Sequence, residues 1–181
     1  LPYQSSMIDD CIAKGKALQE GGAHYNFSGP QGFGIANMTD ALYAIKTLVY
    51  EEKKLTIEEM KEALDYNYGQ GFGTTKAQEV TEQIAKQLLA AGQKVGAEEI
   101  AMIYKQVMAD SKNHPKKARF EEIRAMIDTV PKYGNDNEVV DLFARDVAYK
   151  YTKPLLGYMN TRGGIFQAGL YPVSANVPIG A

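Results

Sequence analysis

A chain of 181 residues, 45% hydrophobic and 23% charged, has the composition of a globular domain with a real core and not that of a disordered segment. A net charge of -2 and a sequence pI near 5.8 supply no basic stripe for phosphates, and the longest basic cluster, Lys112 to Arg119, contains Pro115 and no interleaved aromatics, which argues against nucleic-acid binding. The single cysteine, Cys11, excludes an internal disulfide and a cysteine-based metal site, and no apolar run approaches the ~18 residues that would span a bilayer.

The first residues, LPYQSSMIDDCIAKGK, show neither an initiator Met nor the basic-then-apolar order of a signal peptide, and the last, GGIFQAGLYPVSANVPIGA, stop without a polar tail. Both ends read as cuts, so an internal piece of a longer protein is expected. Residues 5 to 19 read as a helix capped by Ser5 or Ser6, with Ile8, Cys11, Ile12 and Leu18 as its apolar stripe and Gly21 and Gly22 as its stop. Tyr25 and Phe27 before Gly29 and Pro30 suggest a short strand running into a glycine-rich turn. Asn37 or Thr39 then caps a helix to about Tyr50, with Leu42, Ile45, Leu48 and Val49 facing inward. Thr56 and Glu59 form a capping box that opens a further helix through Met60, Ala63 and Leu64.

From 75 to 130 the pattern is amphipathic: Val80, Ile84 and Leu88, then Ile100, Ile103 and Val107, then Ile123, Met126, Ile127 and Val130. Gly92 to Gly96 and Asn113 to Pro115 separate the three sets, which read as surface helices without chemistry. PKYGND, 131 to 136, is a turn in which Gly134 takes a positive φ and Asn135 or Asp136 caps the helix NEVVDLFARDVAYKYT. Pro154 ends or kinks that helix, a short helical stretch follows through Tyr158, and IFQAGLY, 165 to 171, has the composition of a buried strand. The sequence offers such a strand too few partners to close a sheet.

Residue chemistry shows no self-contained active site. Two histidines, His24 and His114, allow no HExxH or paired-ligand spacing. His24 reads as a structural hydrogen bonder, with an acid or base role as the alternative. GPQGFG (29 to 34) and GQGFG (69 to 73) lack the GK[ST] of a phosphate loop and reverse the dinucleotide fingerprint, so their glycines read as tight turns in a crowded interior. Ser28 and Ser174 lie outside any GxSxG, and Cys11 reads as a core residue.

Three blocks carry a resemblance: GGAHYNFSGPQGFGIANMTDALYAIKTLVYEEKKLT, then VPKYGND, then NTRGGIFQAGLYPVSANVPIG. Their order and content resemble glycyl radical enzymes of the pyruvate formate-lyase family, in particular the glycerol dehydratase-like subgroup. The resemblance implies an α/β, helix-rich fold: part of the ten-stranded α/β barrel of glycyl radical enzymes, with few short strands and many surrounding helices. Residues 1–181 would belong to one such barrel domain, with 69–130 a helical surface insertion and 163–181 a barrel strand and pocket wall.

In that family a glycine of an RVxGY-type loop carries the radical, installed by a separate S-adenosylmethionine, iron–sulfur activating enzyme. A cysteine and glutamate of a GCxE-type segment act on the substrate. This sequence has neither motif, Cys11 standing in DDCIA, so no catalytic residue, cofactor ligand or metal ligand is expected in it. What the resemblance leaves here is substrate contact: by alternation Gln167, Gly169, Tyr171 and Val173 share a face, and Gln167, Tyr171 and Val173 are the expected substrate-binding residues. Tight packing of the barrel interior is the alternative. Asn26, Ser28 and the glycines around Gln31 resemble another barrel strand and loop, and Arg162 reads as holding the TRGG turn.

The implied function is radical elimination of water from a small diol or hydroxylated substrate. The alternatives are a C–C, C–N or C–S bond-cleaving glycyl radical enzyme, formate-lyase-like or a decarboxylase, and a non-catalytic separate subunit. The implied partners are the activating enzyme, a small-molecule substrate and, in the full-length protein, a second copy in a homodimer. No nucleic acid or membrane is expected, and the setting is cytoplasmic.

Overall fold

Apolar residues at helical spacing organise most of this chain, whose computed structural model describes residues 2–171. By contact the chain divides into two units, Leu1–Ala41 with Lys132–Ala181, and Leu42–Pro131. In chain order the helices are α1 (Pro2–Ser6), α2 (Cys11–Lys14), α3 (Ile35–Ile45), α4 (Ile57–Asp65), α5 (Thr74–Ala90), α6 (Ala97–Lys112), α7 (Lys117–Thr129) and α8 (Glu138–Thr152). Two short strands, β1 (Gln31–Gly32) and β2 (Gly169–Leu170), pair in parallel.

The second unit has a core of Ala44, Leu48, Leu55, Met60, Ala63, Phe120, Ile123 and Val130. The helix that begins with α3 widens into a π-helical segment, Lys46–Glu51, which carries Leu48 into that core. Thr56 and Glu59 close the expected capping box: Thr56 Oγ1 accepts from the Glu59 N–H at 3.1 Å, and the Glu59 carboxylate accepts from the Thr56 N–H at 2.9 Å. Tyr66 stacks on Phe120 with centroids 5.5 Å apart and meets His114 at a tilt with centroids 4.1 Å apart, so His114 is part of an aromatic cluster. α5 and α6 pack through small side chains, Ala77, Thr81 and Ala85 against Val107 and Ser111, and the expected stripe of Val80, Ile84 and Leu88 lies half-buried beside that seam. The buried hydroxyls are satisfied locally, Thr81 donating to the Ala77 carbonyl at 2.7 Å and Ser111 to that of Met108 at 2.9 Å. Gly69 and Gly71, both at positive φ, press on Lys117, Ser111 and Lys112, so GQGFG is a packed turn.

In the first unit the expected helix over 5 to 19 is broken. Asp10 adopts φ 73 and Gly15 φ 60, leaving only α1, α2 and a single turn at Leu18–Glu20. Asp10 tolerates this left-handed conformation while its carboxylate binds two partners: Lys14 Nζ at 3.2 Å and His24 Nδ1 at 3.0 Å. Ser5 is not a cap, since its hydroxyl accepts from the Leu18 N–H at 3.0 Å. Of the expected stripe Cys11 is buried, whereas Ile12 is 74% exposed.

The strand expected at Tyr25 and Phe27 does not form, and pairing begins at Ser28. α3 starts at Ile35, earlier than Asn37 or Thr39; Thr39 is buried inside it and donates to the Ile35 carbonyl at 2.8 Å. Gly134 takes φ 81 as expected, but the cap of α8 is Asn137, whose side chain accepts from the Val140 N–H at 3.2 Å, because Asp136 sits at φ 57 in the preceding turn. Past Thr152 a single turn, Lys153–Leu155, ends the helix around Pro154, so the helical stretch expected to reach Tyr158 stops short.

Phe120 is 1% exposed at the centre of the second unit's core. Phe120→Ala is expected to cost about 3–5 kcal/mol of stability, and Thr56→Ala about 1 kcal/mol through loss of the cap. Urea denaturation of each variant beside the parent measures both.

Candidate functional site

The first unit brings two distant segments side by side in one parallel register: Ser28 opposite Phe166, Gln31 opposite Gly169, Gly32 opposite Leu170. The Ser28 N–H donates to the Ile165 carbonyl at 3.0 Å. The N–H groups of Gln167, Gly169 and Tyr171 donate to the carbonyls of Ser28, Pro30 and Gly32 at 2.9, 2.9 and 3.1 Å. Pro30 has no N–H for the rung that would reach Gln167, so the ribbon shows as a bridge, a gap and a two-residue strand. The expected strand over 165 to 171 is therefore present in shorter form and is not buried: Ile165, Leu170 and Tyr171 are 52%, 51% and 53% exposed.

A turn at Asn160–Gly164 fastens the start of the ribbon. The Asn160 side-chain oxygen accepts from the N–H groups of Arg162 and Gly164 at 2.9 and 3.0 Å, while its nitrogen donates to Ser28 Oγ at 3.0 Å. Arg162 donates to the same hydroxyl at 3.0 Å and to the Phe27 carbonyl at 3.3 Å, so its guanidinium holds this turn. Gly164 has to be glycine, because a Cβ there would overlap the Asn26 carbonyl.

Alternation gives the ribbon two faces. Gly32 lies against the ring of Tyr151 from α8, where a Cβ would come 2.7 Å from Cε1. The other face carries Gln31, Phe33, Gln167, Gly169 and Tyr171. Phe33 and Tyr171 meet edge to face with centroids 5.3 Å apart, and Gln167 is exposed. Two of the expected substrate-binding residues, Gln167 and Tyr171, thus share one open face, and Val173 lies outside the described residues. The same face adds Gln31 and Phe33, which the glycine-rich reading of 29 to 34 assigned to a turn. Alternation through Phe27, Gly29, Gln31 and Phe33 is the signal that places them. Chemically this face offers two carboxamides, a phenol and aromatic edges: neutral donors and acceptors beside apolar surface.

Other clusters carry less chemistry. Among the described residues no group of three or more His, Cys, Asp and Glu is placed to hold a metal ion. His24 donates to Asp10 and packs edge on to Tyr25 at 4.6 Å, while Cys11 is buried and free. A groove along α5 and α6, lined in part by Thr81, Glu82, Ile100, Tyr104 and Lys105, lies within the second unit. No helix among the described residues is long and apolar enough to cross a membrane.

Comparison with known proteins bears on this face. The chain matches the family described as Pyruvate formate lyase-like over residues 1–180. A solved structure concerned with 1,2-propanediol dehydration in Roseburia inulinivorans is 54% identical with a TM-score of 0.79, covering 99% of this chain and 22% of that one. The glycerol-bound B12-independent glycerol dehydratase of Clostridium butyricum is 39% identical with a TM-score of 0.61, covering 99% and 17%. Among curated proteins, (2S)-3-sulfopropanediol dehydratase of Klebsiella oxytoca is 30% identical over 99% of this chain, which spans 16% of that protein. The helix-rich architecture with few strands is thus a part of the fold of these larger enzymes.

The hydrogen bond from His24, followed by that from Lys14, holds the Asp10 carboxyl below its ordinary range. A depressed carboxylate adds stability above its unfolded value, about 3.9, which is lost as pH falls through the folded value. Thermal midpoints of the parent and Asp10→Asn are therefore expected to differ at pH 6 and to converge only once pH falls below the folded value, itself under about 3.9, a trend that scanning calorimetry would read.

Proposed function

Because the chain belongs to the pyruvate formate lyase-like family, we propose that it forms part of the substrate-cavity wall of a glycyl radical dehydratase that removes water from a small neutral diol. The observation that carries this reading is the open ribbon face with Gln31, Gln167 and Tyr171, neutral hydrogen-bonding groups beside Phe33. Among the described residues that face bears no cation to pair with a sulfonate or carboxylate, which favours a neutral polyol over an anionic substrate. The names of two similar solved structures, one concerned with 1,2-propanediol dehydration and one a glycerol dehydratase, support the same choice.

In this reading Tyr171 and Gln167 bind hydroxyl groups, Val173 sets an apolar limit, and Phe33 excludes water. The radical chemistry is supplied elsewhere, since the sequence holds neither an RVxGY nor a GCxE segment: hydrogen is taken from one carbon and the neighbouring hydroxyl departs. The radical glycine is installed by a partner enzyme that uses S-adenosylmethionine and an iron–sulfur cluster. The complete protein is a cytoplasmic homodimer. Residues 69–130, which contain α5, α6 and α7, act as a helical surface layer of the barrel domain.

Dehydration of propane-1,2-diol yields propanal and water, so aldehyde formation by the complete, activated protein tests the function. Tyr171→Phe is expected to lower kcat/KM for this diol by about threefold to tenfold, the worth of one neutral hydrogen bond. Electron paramagnetic resonance should show a glycine-centred radical in the activated protein. Absence of aldehyde from both propane-1,2-diol and glycerol, with the radical present, would sink the assignment.

A further inference from the structure

Gln31 lies on the same face as Gln167 and Tyr171 but on the neighbouring strand, and its carboxamide is held. Nε2 donates to the Gly29 carbonyl at 3.0 Å, two residues back on the same face. A carbonyl only accepts, so this bond fixes which end of the amide is nitrogen and directs Oε1 the other way. Oε1 lies over Gly169, the residue paired with Gln31 across the ribbon. Among the described residues nothing donates to it.

Gly169 makes this arrangement possible. A Cβ there would overlap Oε1 and come 2.8 Å from Cδ and Nε2 of Gln31. Gly169 is not one of the glycines at positive φ, so its backbone suits alanine, and the three atoms nearest such a Cβ all belong to the Gln31 side chain. The glycine therefore clears space for a carboxamide and does not serve a turn. An oriented amide oxygen without a donor among the described residues, on the face that also carries a phenol and a second amide, is suited to a hydroxyl group of a small ligand.

We propose that Gln31 is a substrate-binding residue whose Oε1 accepts a hydrogen bond from a hydroxyl of a small neutral polyol, with Gly169 as the positioning residue that lets the amide lie in place. This rests on the reading of the open face as cavity wall. It adds a second strand to the site and gives the IFQAGLY glycine a role through its partner. Both residues act before any bond is broken, so they govern binding and not the chemical step.

The test uses the complete protein without activation, with glycerol and propane-1,2-diol as probes in titration calorimetry. Gln31→Leu and Gly169→Ala are each expected to weaken binding of the diols by about tenfold. The double variant is expected to be no weaker than either single one, because both remove the same contact. In the activated protein KM should rise by a similar factor while kcat changes little. If the parent binds a diol and Gln31→Leu binds it equally well, the inference fails while the cavity-wall reading stands. If the parent binds neither diol, the cavity-wall reading fails and this inference with it. Should Gln31→Leu not fold, Gly169→Ala decides alone: unchanged affinity overturns the proposal, and a tenfold loss with intact circular dichroism upholds it.

Discussion

The parallel register that sets Ser28, Gln31 and Gly32 against Phe166, Gly169 and Leu170 is the constraint on which the first unit depends. Parallel strands cannot be joined by a tight turn, so the chain between them has to leave the ribbon and return. The long excursion through α3 to α8 meets that geometric demand. The Asn160–Ser28–Arg162 hydrogen bonds fix the point of return, and Tyr151 backs the ribbon at Gly32. Each device uses a residue type that the geometry requires: a carboxamide that donates and accepts together, a guanidinium with several donors, and glycines at which a Cβ would collide.

The ribbon also shows how an apolar, glycine-rich segment can present polar side chains. One face meets a tyrosine ring at Gly32, and the other carries the side chains of Gln31, Gln167 and Tyr171. These amides and this phenol carry no charge, so any contact they make with a ligand rests on hydrogen-bond direction and on shape. Full electrostatic capture of an anion would need cations from other parts of the complete protein.

Helix starts and stops were legible where the signal is local. Thr56 and Glu59 cap α4 as read because both partners lie within one turn, and Pro154 ends α8 for its missing N–H. The break at Asp10 was not legible, because it is coupled to His24, fourteen positions away, a partner that periodicity does not encode. Nor was the buried seam of α5, where Ala77, Thr81 and Ala85 pack and the larger Val80, Ile84 and Leu88 sit beside them: size of the gap, not hydrophobicity, chose the seam. Of the open face, the shared side of Gln167 and Tyr171 followed from strand alternation, while their part in substrate contact is a proposal that the family resemblance suggested. The place of Gln31 opposite Gly169 was only half legible: its glycines read as tight turns, the family resemblance suggested a strand and loop there, and a strand's partner is a long-range fact. The resemblance itself supplied the barrel, which no count of strands in this sequence would have yielded.

The placement of Ala44 and Val130 in one core has a consequence for how the ribbon closes. Leu42–Pro131 is continuous in sequence and gathers its own contacts, so the two points at which the chain enters and leaves it are tied together by packing. The loop that remains to be closed between Gln31 and Gly169 is then the two flanks, 32–41 and 132–168, and not the whole stretch. Closure entropy grows with loop length as about (3/2)RT ln n, and shortening the effective n lowers it. The helical unit thereby acts as a non-covalent clasp, the packing counterpart of a disulfide, and a lesion in its core would be felt as a loosening of strands that it never touches in sequence.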